Sequence, residues 1–151
     1  MALKEQIQAD LVASMKARDA VRTDALRMLR AAIQNFEVAR TDAKHPQHGQ
    51  PIGEGDYVSV VQREIKQRQD SIDAFRKGGR EDLAAKEEAE AEILKAYLPQ
   101  QLSRQEIASH VGRLIDELGR DFKRVMPRAA QELRGRADGR VVNDVVRELT
   151  A

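Results

Sequence analysis

Apolar residues recur at helical spacing over almost the whole chain. Near its start they repeat every four residues, at Leu3, Ile7, Leu11 and Met15. Spacings of three and four residues place side chains on one face of an α-helix, so this stripe predicts an amphipathic helix. Asp19 is suited to capping a second helix. The apolar stripe of that helix consists of Val21, Ala25, Met28, Leu29, Ala32, Ile33 and Phe36.

A segment rich in glycine and proline follows, from about residue 41 to residue 55. It predicts a loop, because these residue types interrupt regular elements. After the loop, apolar stripes predict a third helix from roughly Asp56 to the Gly78-Gly79 pair. A fourth helix is predicted from near Arg80 to Pro99, where the missing proline N–H ends it.

The clearest boundary is the short connector around Pro99. Directly after it, Ser103 and Glu106 have the spacing of a capping box, in which each side chain accepts a hydrogen bond from the other residue's backbone N–H. Three further apolar stripes follow. They predict helices from Ser103 to Gly119, from about Phe122 to Arg134, and from Asp138 to near the end of the chain.

No segment reads as a strand. The valine pairs at 141–142 and 145–146 are β-branched, but their spacing is helical. Pro127 lies inside the predicted sixth helix, which either kinks there or begins its regular part there. We therefore predict an all-α protein with two domains. An N-terminal four-helix domain would comprise residues 1–98, and a C-terminal three-helix domain residues 103–151.

Composition removes several classes of function. The chain has no cysteine, which excludes disulfides, thiolate zinc sites and cysteine nucleophiles. It has no run of about twenty apolar residues, so we expect no membrane span. The first residues include Glu5 and Asp10 and lack the apolar core of a secretory signal. These features favour a cytoplasmic protein.

Positive charge is concentrated between residues 120 and 140, although the net charge of the chain is only +1. Three acidic residues oppose it there: Asp121, Glu132 and Asp138. Guanidinium groups donate paired hydrogen bonds to phosphate, so the segment is either a phosphate-binding surface or a solvated helix face. Its seven basic residues are Arg120, Lys123, Arg124, Arg128, Arg134, Arg136 and Arg140.

Other patterns that carry chemistry are missing. The sequence has neither a Walker-type phosphate loop nor a glycine-rich dinucleotide fingerprint. His45 and His48 are three residues apart, but no third metal ligand has a matching spacing. Ser71 has no activating base nearby in the sequence. We therefore predict no metal, no cofactor and no catalytic residue.

Three motifs occur in order: EIKQRQDS at Glu64–Ser71, KAYLPQQLSRQEI at Lys95–Ile107 and GRADGR at Gly135–Arg140. At this separation they resemble the Yqey-like proteins of the GatB/YqeY group, over nearly the whole chain. The resemblance implies an all-α fold with a four-helix domain followed by a three-helix GatB/YqeY tail domain. That tail is similar to the C-terminal domain of the B subunit of the glutamine-dependent aminoacyl-tRNA amidotransferase, where it contacts tRNA while other domains perform the chemistry.

The resemblance implies a tRNA-binding or tRNA-associated module without catalysis of its own. Its partners would be tRNA and, as a protein, an aminoacyl-tRNA synthetase or an amidotransferase. One departure affects the site: Lys123 stands where the family usually has glycine, close to Pro127. The candidate nucleic-acid-binding residues are Lys123, Arg124, Arg128, Arg134, Arg136 and Arg140.

Three other functions stay open at this point. The chain could be a component of an amidotransferase, a carbon–nitrogen ligase with glutamine as amide donor, although no nucleophile for ammonia release is evident. It could be an adaptor between proteins. It could also bind DNA through a helix-turn-helix, but the last helix carries Asp144 and Glu148, which would repel the phosphate backbone.

Overall fold

All regular structure in this computed structural model, which describes residues 2–151, is helical. The all-α prediction is therefore confirmed for the described residues, with no strand among them. The helices are α1 (Leu3–Lys16), α2 (Ala20–Arg40), α3 (Glu54–Lys77), α4 (Glu81–Lys95), α5 (Arg104–Leu118), α6 (Phe122–Glu132) and α7 (Gly139–Thr150).

The chain forms two compact units that meet in sequence at Pro99. The N-terminal unit, Met1–Leu98, contains α1 to α4, and the C-terminal unit, Pro99–Ala151, contains α5 to α7. Each unit has its own cluster of buried apolar side chains. Both clusters consist mainly of leucine, isoleucine, valine and alanine, as expected for a chain in which aromatic residues are only 3%.

Helix packing in the N-terminal unit changes which apolar residues form the core. Ile7 and Leu11 of α1 are buried as predicted, but Met15 is 42% exposed. Its place towards the core is taken by Ser14, whose hydroxyl donates to the Leu11 carbonyl at 2.8 Å. On α2, Val21 and Met28 are also exposed, whereas Leu26 is fully buried. Spacing alone therefore assigned Val21 and Met28 to the inner face of α2 and left out Leu26.

One ion pair is buried inside the N-terminal unit. Arg68 of α3 and Glu90 of α4 are both about 5% exposed or less, and Arg68 Nε lies 3.4 Å from Glu90 Oε2. Arg68 Nη1 also donates to the Glu64 carbonyl at 3.1 Å. Burial, followed by the charge of Glu87, raises the pKa of Glu90, while Arg68 opposes that rise. Glu90 is therefore a buried member of the acidic segment at residues 87–92.

Tyr97 ties the end of the N-terminal unit to its first helix. Its hydroxyl donates to Asp10 Oδ2 at 2.6 Å, and the ring is 8% exposed. Burial and this hydrogen bond raise the pKa of Tyr97, so the phenol stays protonated and keeps donating. A buried tyrosine needs such a partner, because an unpaired hydroxyl away from water is costly.

The C-terminal unit has the helix ends that its sequence predicts. Glu106 N–H donates to Ser103 Oγ at 3.1 Å, and Ser103 N–H lies 3.4 Å from Glu106 Oε1. This arrangement confirms the capping box. Gly119 ends α5 with φ of 88°, a left-handed conformation that glycine adopts without steric cost. Asp138 caps α7, because its Oδ1 accepts the Arg140 N–H at 2.8 Å.

Helix α6 differs from its prediction in two respects. It ends at Glu132 instead of Arg134, and the apolar residue Ala130 is exposed. The helix continues through Pro127. Because proline has no N–H, the helical hydrogen bond to the carbonyl four residues earlier, that of Lys123, cannot form.

We expect Ser103→Ala to lower the free energy of unfolding by about 0.5–2 kcal/mol, the usual loss on removing a helix N-cap. Urea unfolding of the full chain, followed by circular dichroism, measures it. Ser109→Ala removes an exposed serine from the interior of the same helix and is the matched control. Equal stabilities for the two variants would mean that the capping box does not stabilise α5.

We expect Glu90→Ala to destabilise the protein by about 3–5 kcal/mol, because it removes the nearer of the two carboxylates that face the buried Arg68. Only the Glu64 carboxylate, 3.8 Å from Arg68 Nη1, would then balance its charge. Replacing both residues, Arg68→Met with Glu90→Leu, should recover most of that loss. Glu88→Ala removes an exposed ion pair to Arg76 and should cost less than about 1 kcal/mol. A double variant no more stable than Glu90→Ala would contradict this account of the pair.

Candidate nucleic-acid interface

The α6–α7 turn comprises residues 133–138, and the GRADGR motif supplies its last four residues and the start of α7. Gly135 has φ of 83° and is buried, so a side chain there would be strained. Ala137 is 6% exposed and belongs to the core of the unit. Asp138 caps α7. The glycine, alanine and aspartate of the motif therefore build the turn, while Arg136 and Arg140 are exposed.

The connector before α5 is hydrogen-bonded to this turn. Leu102 N–H donates to the Arg136 carbonyl at 2.8 Å. Gln101 Nε2 donates to the Gly135 carbonyl at 3.0 Å and to the Pro99 carbonyl at 2.8 Å. Two of the three motifs that carried the family resemblance are thus joined in space. This contact was not predicted from the sequence. The only sign of it was that both motifs occur together in the family that the chain resembles.

Five of the six candidate basic residues lie at or beyond the two ends of α6. Lys123 and Arg124 are exposed in its first turn. Arg134 and Arg136 follow its last residue, and Arg140 is the second residue of α7. The eleven residues of α6 span about 16 Å. The structure therefore divides these residues into two groups. The starting group is Lys123 and Arg124, and the turn group is Arg134, Arg136 and Arg140.

Arg128 does not join either group. It lies on the flank of α6 towards α5, where Nη2 is 3.4 Å from Glu117 Oε1 and Nε donates to Glu132 Oε1 at 3.1 Å. The other oxygen of Glu132, Oε2, lies 2.7 Å from His110 Nε2. Two carboxylates balance the charge of Arg128, so it is the least suited of the six candidates to bind phosphate.

All three acidic residues of the basic segment have structural roles. Asp121 Oδ1 accepts the Lys123 N–H at 3.0 Å and caps α6. Asp138 caps α7 in the same way. Glu132 pairs with His110 and Arg128. These hydrogen bonds hold the carboxylates near backbone donors or on the flank of α6.

Helix α6 therefore presents an outer face without a carboxylate. Between its basic ends, the surface is small or uncharged. We call this surface the outer face of α6, and it consists of the exposed residues Lys123, Arg124, Pro127, Ala130 and Gln131.

Arg147 of α7 adds a basic side chain near the start of α6. Its guanidinium lies 5.2 Å from the centroid of the Phe122 ring, and its Nε donates to Asn143 Oδ1 at 2.8 Å. Arg147 was not among the predicted candidates, because it lies outside the basic segment in sequence. The shortness of the α6–α7 turn, which brings α7 back alongside α6, could have indicated that Arg147 lies near the start of α6.

The backbone N–H groups at the start of α7 are the kind of donors that bind phosphate at a helix N-terminus. Here Asp138 Oδ1 already accepts the Arg140 N–H, and the negative charge of Asp138 lies at this helix start. An anion at this place would therefore be bound by basic side chains more than by the backbone N–H groups of α7.

The other candidate groups are engaged elsewhere in the fold. His45 Nδ1 accepts the Gln47 N–H at 3.0 Å, and His48 Nδ1 lies 3.2 Å from the Arg40 carbonyl. No group of three or more His, Cys, Asp or Glu residues within residues 2–151 is arranged to hold a metal ion. Ser71 is partly buried on α3. Among the described helices, none is long and apolar enough to cross a membrane.

Comparisons with known proteins point to one family. The model of the family described as Yqey-like protein matches residues 4–150. Curated relatives include Altered inheritance of mitochondria protein 41, mitochondrial, from Saccharomyces cerevisiae (strain YJM789), which is 33% identical over 114 residues. Proteins of the same name from Lachancea thermotolerans and Eremothecium gossypii are 37% and 30% identical. Each match covers 74% of this chain but only 57% or 58% of the relative, so the chain spans less than two thirds of their length.

The Glu132 pairing predicts a dependence of stability on pH. The hydrogen bond from His110, followed by that from Arg128, lowers the pKa of Glu132 below its ordinary value of 4.5. A lowered carboxylate pKa stabilises the folded state above the unfolded pKa, and this contribution is lost as the pH falls through the folded pKa. The free energy of unfolding of the wild type should therefore fall more steeply below pH 4.5 than that of Glu132→Gln.

Urea unfolding at a series of pH values measures this difference. Asp116→Asn, which removes an exposed carboxylate from α5, is the control and should follow the wild type. Parallel curves for the wild type and Glu132→Gln would show that the His110–Glu132–Arg128 cluster does not contribute to stability.

Proposed function

Because this chain belongs to the Yqey-like protein family, we propose that it is a tRNA-binding or tRNA-associated module without catalysis of its own. Its N-terminal unit would be a four-helix domain, and its C-terminal unit a three-helix GatB/YqeY tail domain that contacts the RNA. This proposal takes the resemblance of the family tail to a tRNA-contacting domain as its starting point.

The observation that carries the proposal is the outer face of α6. Its exposed positions are basic at the start, uncharged in the middle, and followed by Arg134 and Arg136 at the turn. Lys123, Arg124 and Arg136 form no side-chain ion pair within the described residues. A phosphate backbone is the natural ligand for such a surface, since each cation that neutralises a phosphate releases condensed counterions.

Binding would depend on RNA backbone and shape more than on base sequence. Sequence-specific recognition of single strands relies on aromatic side chains that stack on splayed bases. The C-terminal unit has only one aromatic residue, Phe122, and the Arg147 guanidinium lies over its ring. We therefore expect weak sequence preference and strong salt dependence.

The same surface would serve in a complex with an enzyme. An aminoacyl-tRNA synthetase or an amidotransferase bound to this protein would perform the chemistry while the C-terminal unit holds the tRNA. The alternative function, a component of an amidotransferase that uses glutamine as amide donor, is compatible with the main proposal. In such a complex this chain would bind the tRNA and another subunit would transfer the amide. A cytoplasmic location stays a prediction from the sequence. The yeast relatives are named as mitochondrial proteins, and tRNA is present in both compartments.

Replacing Arg134, Arg136 and Arg140 together by alanine should weaken binding to every tRNA. If all three contact phosphate, the slope of log affinity against log salt should become shallower by roughly two to three units, at slightly under one unit per contact. Fluorescence anisotropy with labelled tRNA over a range of salt concentrations measures both quantities.

The matched control removes three positive charges from exposed positions on α3: Arg63, Lys66 and Lys77. It equals the test variant in net charge, so a difference between the two variants reports on location. Equal affinity and slope for both variants would remove the turn group from the interface. No tRNA binding by the wild type at low salt would reject the proposed function.

A further inference from the structure

We propose that the RNA element bound by this protein is a double-stranded stem, and that α6 lies across its minor groove. The starting group would contact one phosphate backbone and the turn group the other, with Gln131 inside the groove. This inference rests on the proposed function and adds to it the class of RNA structure, the orientation of the helix and a residue that contacts the groove.

Positive charge at the outer face of α6 is divided between the two ends of the helix. Lys123 and Arg124 lie in its first turn, and Arg136 follows its C-terminal end. The helical rise from Arg124 to Glu132 is about 12 Å. No basic residue lies on the outer face between them, because Arg128 is turned to the flank by Glu117 and Glu132. Two groups of cations with an uncharged interval match two phosphate strands with a groove between them.

The exposed side chains between the two basic groups are small or uncharged. Pro127 and Ala130 are small and exposed, so the helix surface there can approach a shallow groove closely. Gln131 is the one polar side chain of the interval. Its amide both donates and accepts hydrogen bonds, as does a ribose 2′-hydroxyl. The minor groove of A-form RNA displays these hydroxyls.

The grooves of nucleic acids differ in whether they can admit a helix. An α-helix with its side chains is about 10–12 Å across, whereas the minor groove of B-form DNA is only about 6 Å wide. The A-form minor groove is wide and shallow and therefore admits the surface of a helix. The major groove of DNA also admits a helix, but reading bases there requires several polar side chains, and the interval offers only Gln131.

The experiment compares three probes on the full-length protein. They are an RNA duplex of about 16 base pairs, a DNA duplex of the same sequence, and one of the RNA strands alone. Anisotropy is measured over a range of salt concentrations. We expect the RNA duplex to bind more tightly than either of the other probes.

Three variants test the orientation of α6 on the duplex. Lys123→Ala with Arg124→Ala should make the salt slope shallower by up to about two units, and Arg136→Ala by about one. Gln131→Ala should weaken RNA-duplex binding by about two- to tenfold, the loss of roughly one hydrogen bond, without changing the slope or the affinity for DNA. Gln105→Ala, at an exposed position on α5, is the matched control and should bind as the wild type does.

The outcomes separate this inference from the proposed function. Equal binding of RNA duplex, DNA duplex and single strand, with tRNA binding intact, would overturn the inference and leave the proposed function standing. So would a salt slope that responds to only one end of α6, or a Gln131→Ala variant that binds the RNA duplex as tightly as the wild type. Failure to bind tRNA and all three probes would reject both proposals.

Discussion

The C-terminal unit depends on the α6–α7 turn, which has to satisfy its backbone polar groups while it reverses the chain. Gly135 supplies the left-handed conformation, and Asp138 caps the next helix. The Gly135 and Arg136 carbonyls, left outside the helices, accept hydrogen bonds from Gln101 and Leu102. Since buried or partly buried carbonyls are costly without donors, the connector and the turn constrain each other. The helices that carry the basic side chains are positioned by that mutual constraint.

The electrostatic character of the outer face of α6 follows from the structural use of acidic residues. The first backbone N–H groups of α6 and α7 are capped by side-chain oxygens, which Asp121 and Asp138 provide. Packing of α5 against α6 places Glu132 between His110 and Arg128. The three carboxylates of residues 120–140 are therefore held by backbone N–H groups, His110 and Arg128, away from the outer face of α6. A chain with a net charge of only +1 therefore carries a positive surface at this place.

Features that depend on neighbours in sequence were predictable, and features that depend on packing between helices were not. The caps at Asp19, Ser103 and Asp138 follow from local spacing, and the structure confirms them. The burial of Glu90 requires Arg68 of another helix, and the pairing of Arg128 requires α5. Similarly, spacing identified the stripe on α2 but not its inner boundary, because α1, α3 and α4 together decide whether Leu26 or Met28 faces the core.

A direct measurement of the interface is a titration of isotope-labelled full-length protein with tRNA at low salt, followed by amide chemical shifts. Our account predicts that the largest changes fall on the outer face of α6 and on the turn, including Lys123, Gln131 and Arg136, with residues 2–98 little affected. Changes concentrated in the N-terminal unit, with none along α6, would contradict it. So would unchanged spectra at a saturating concentration of tRNA.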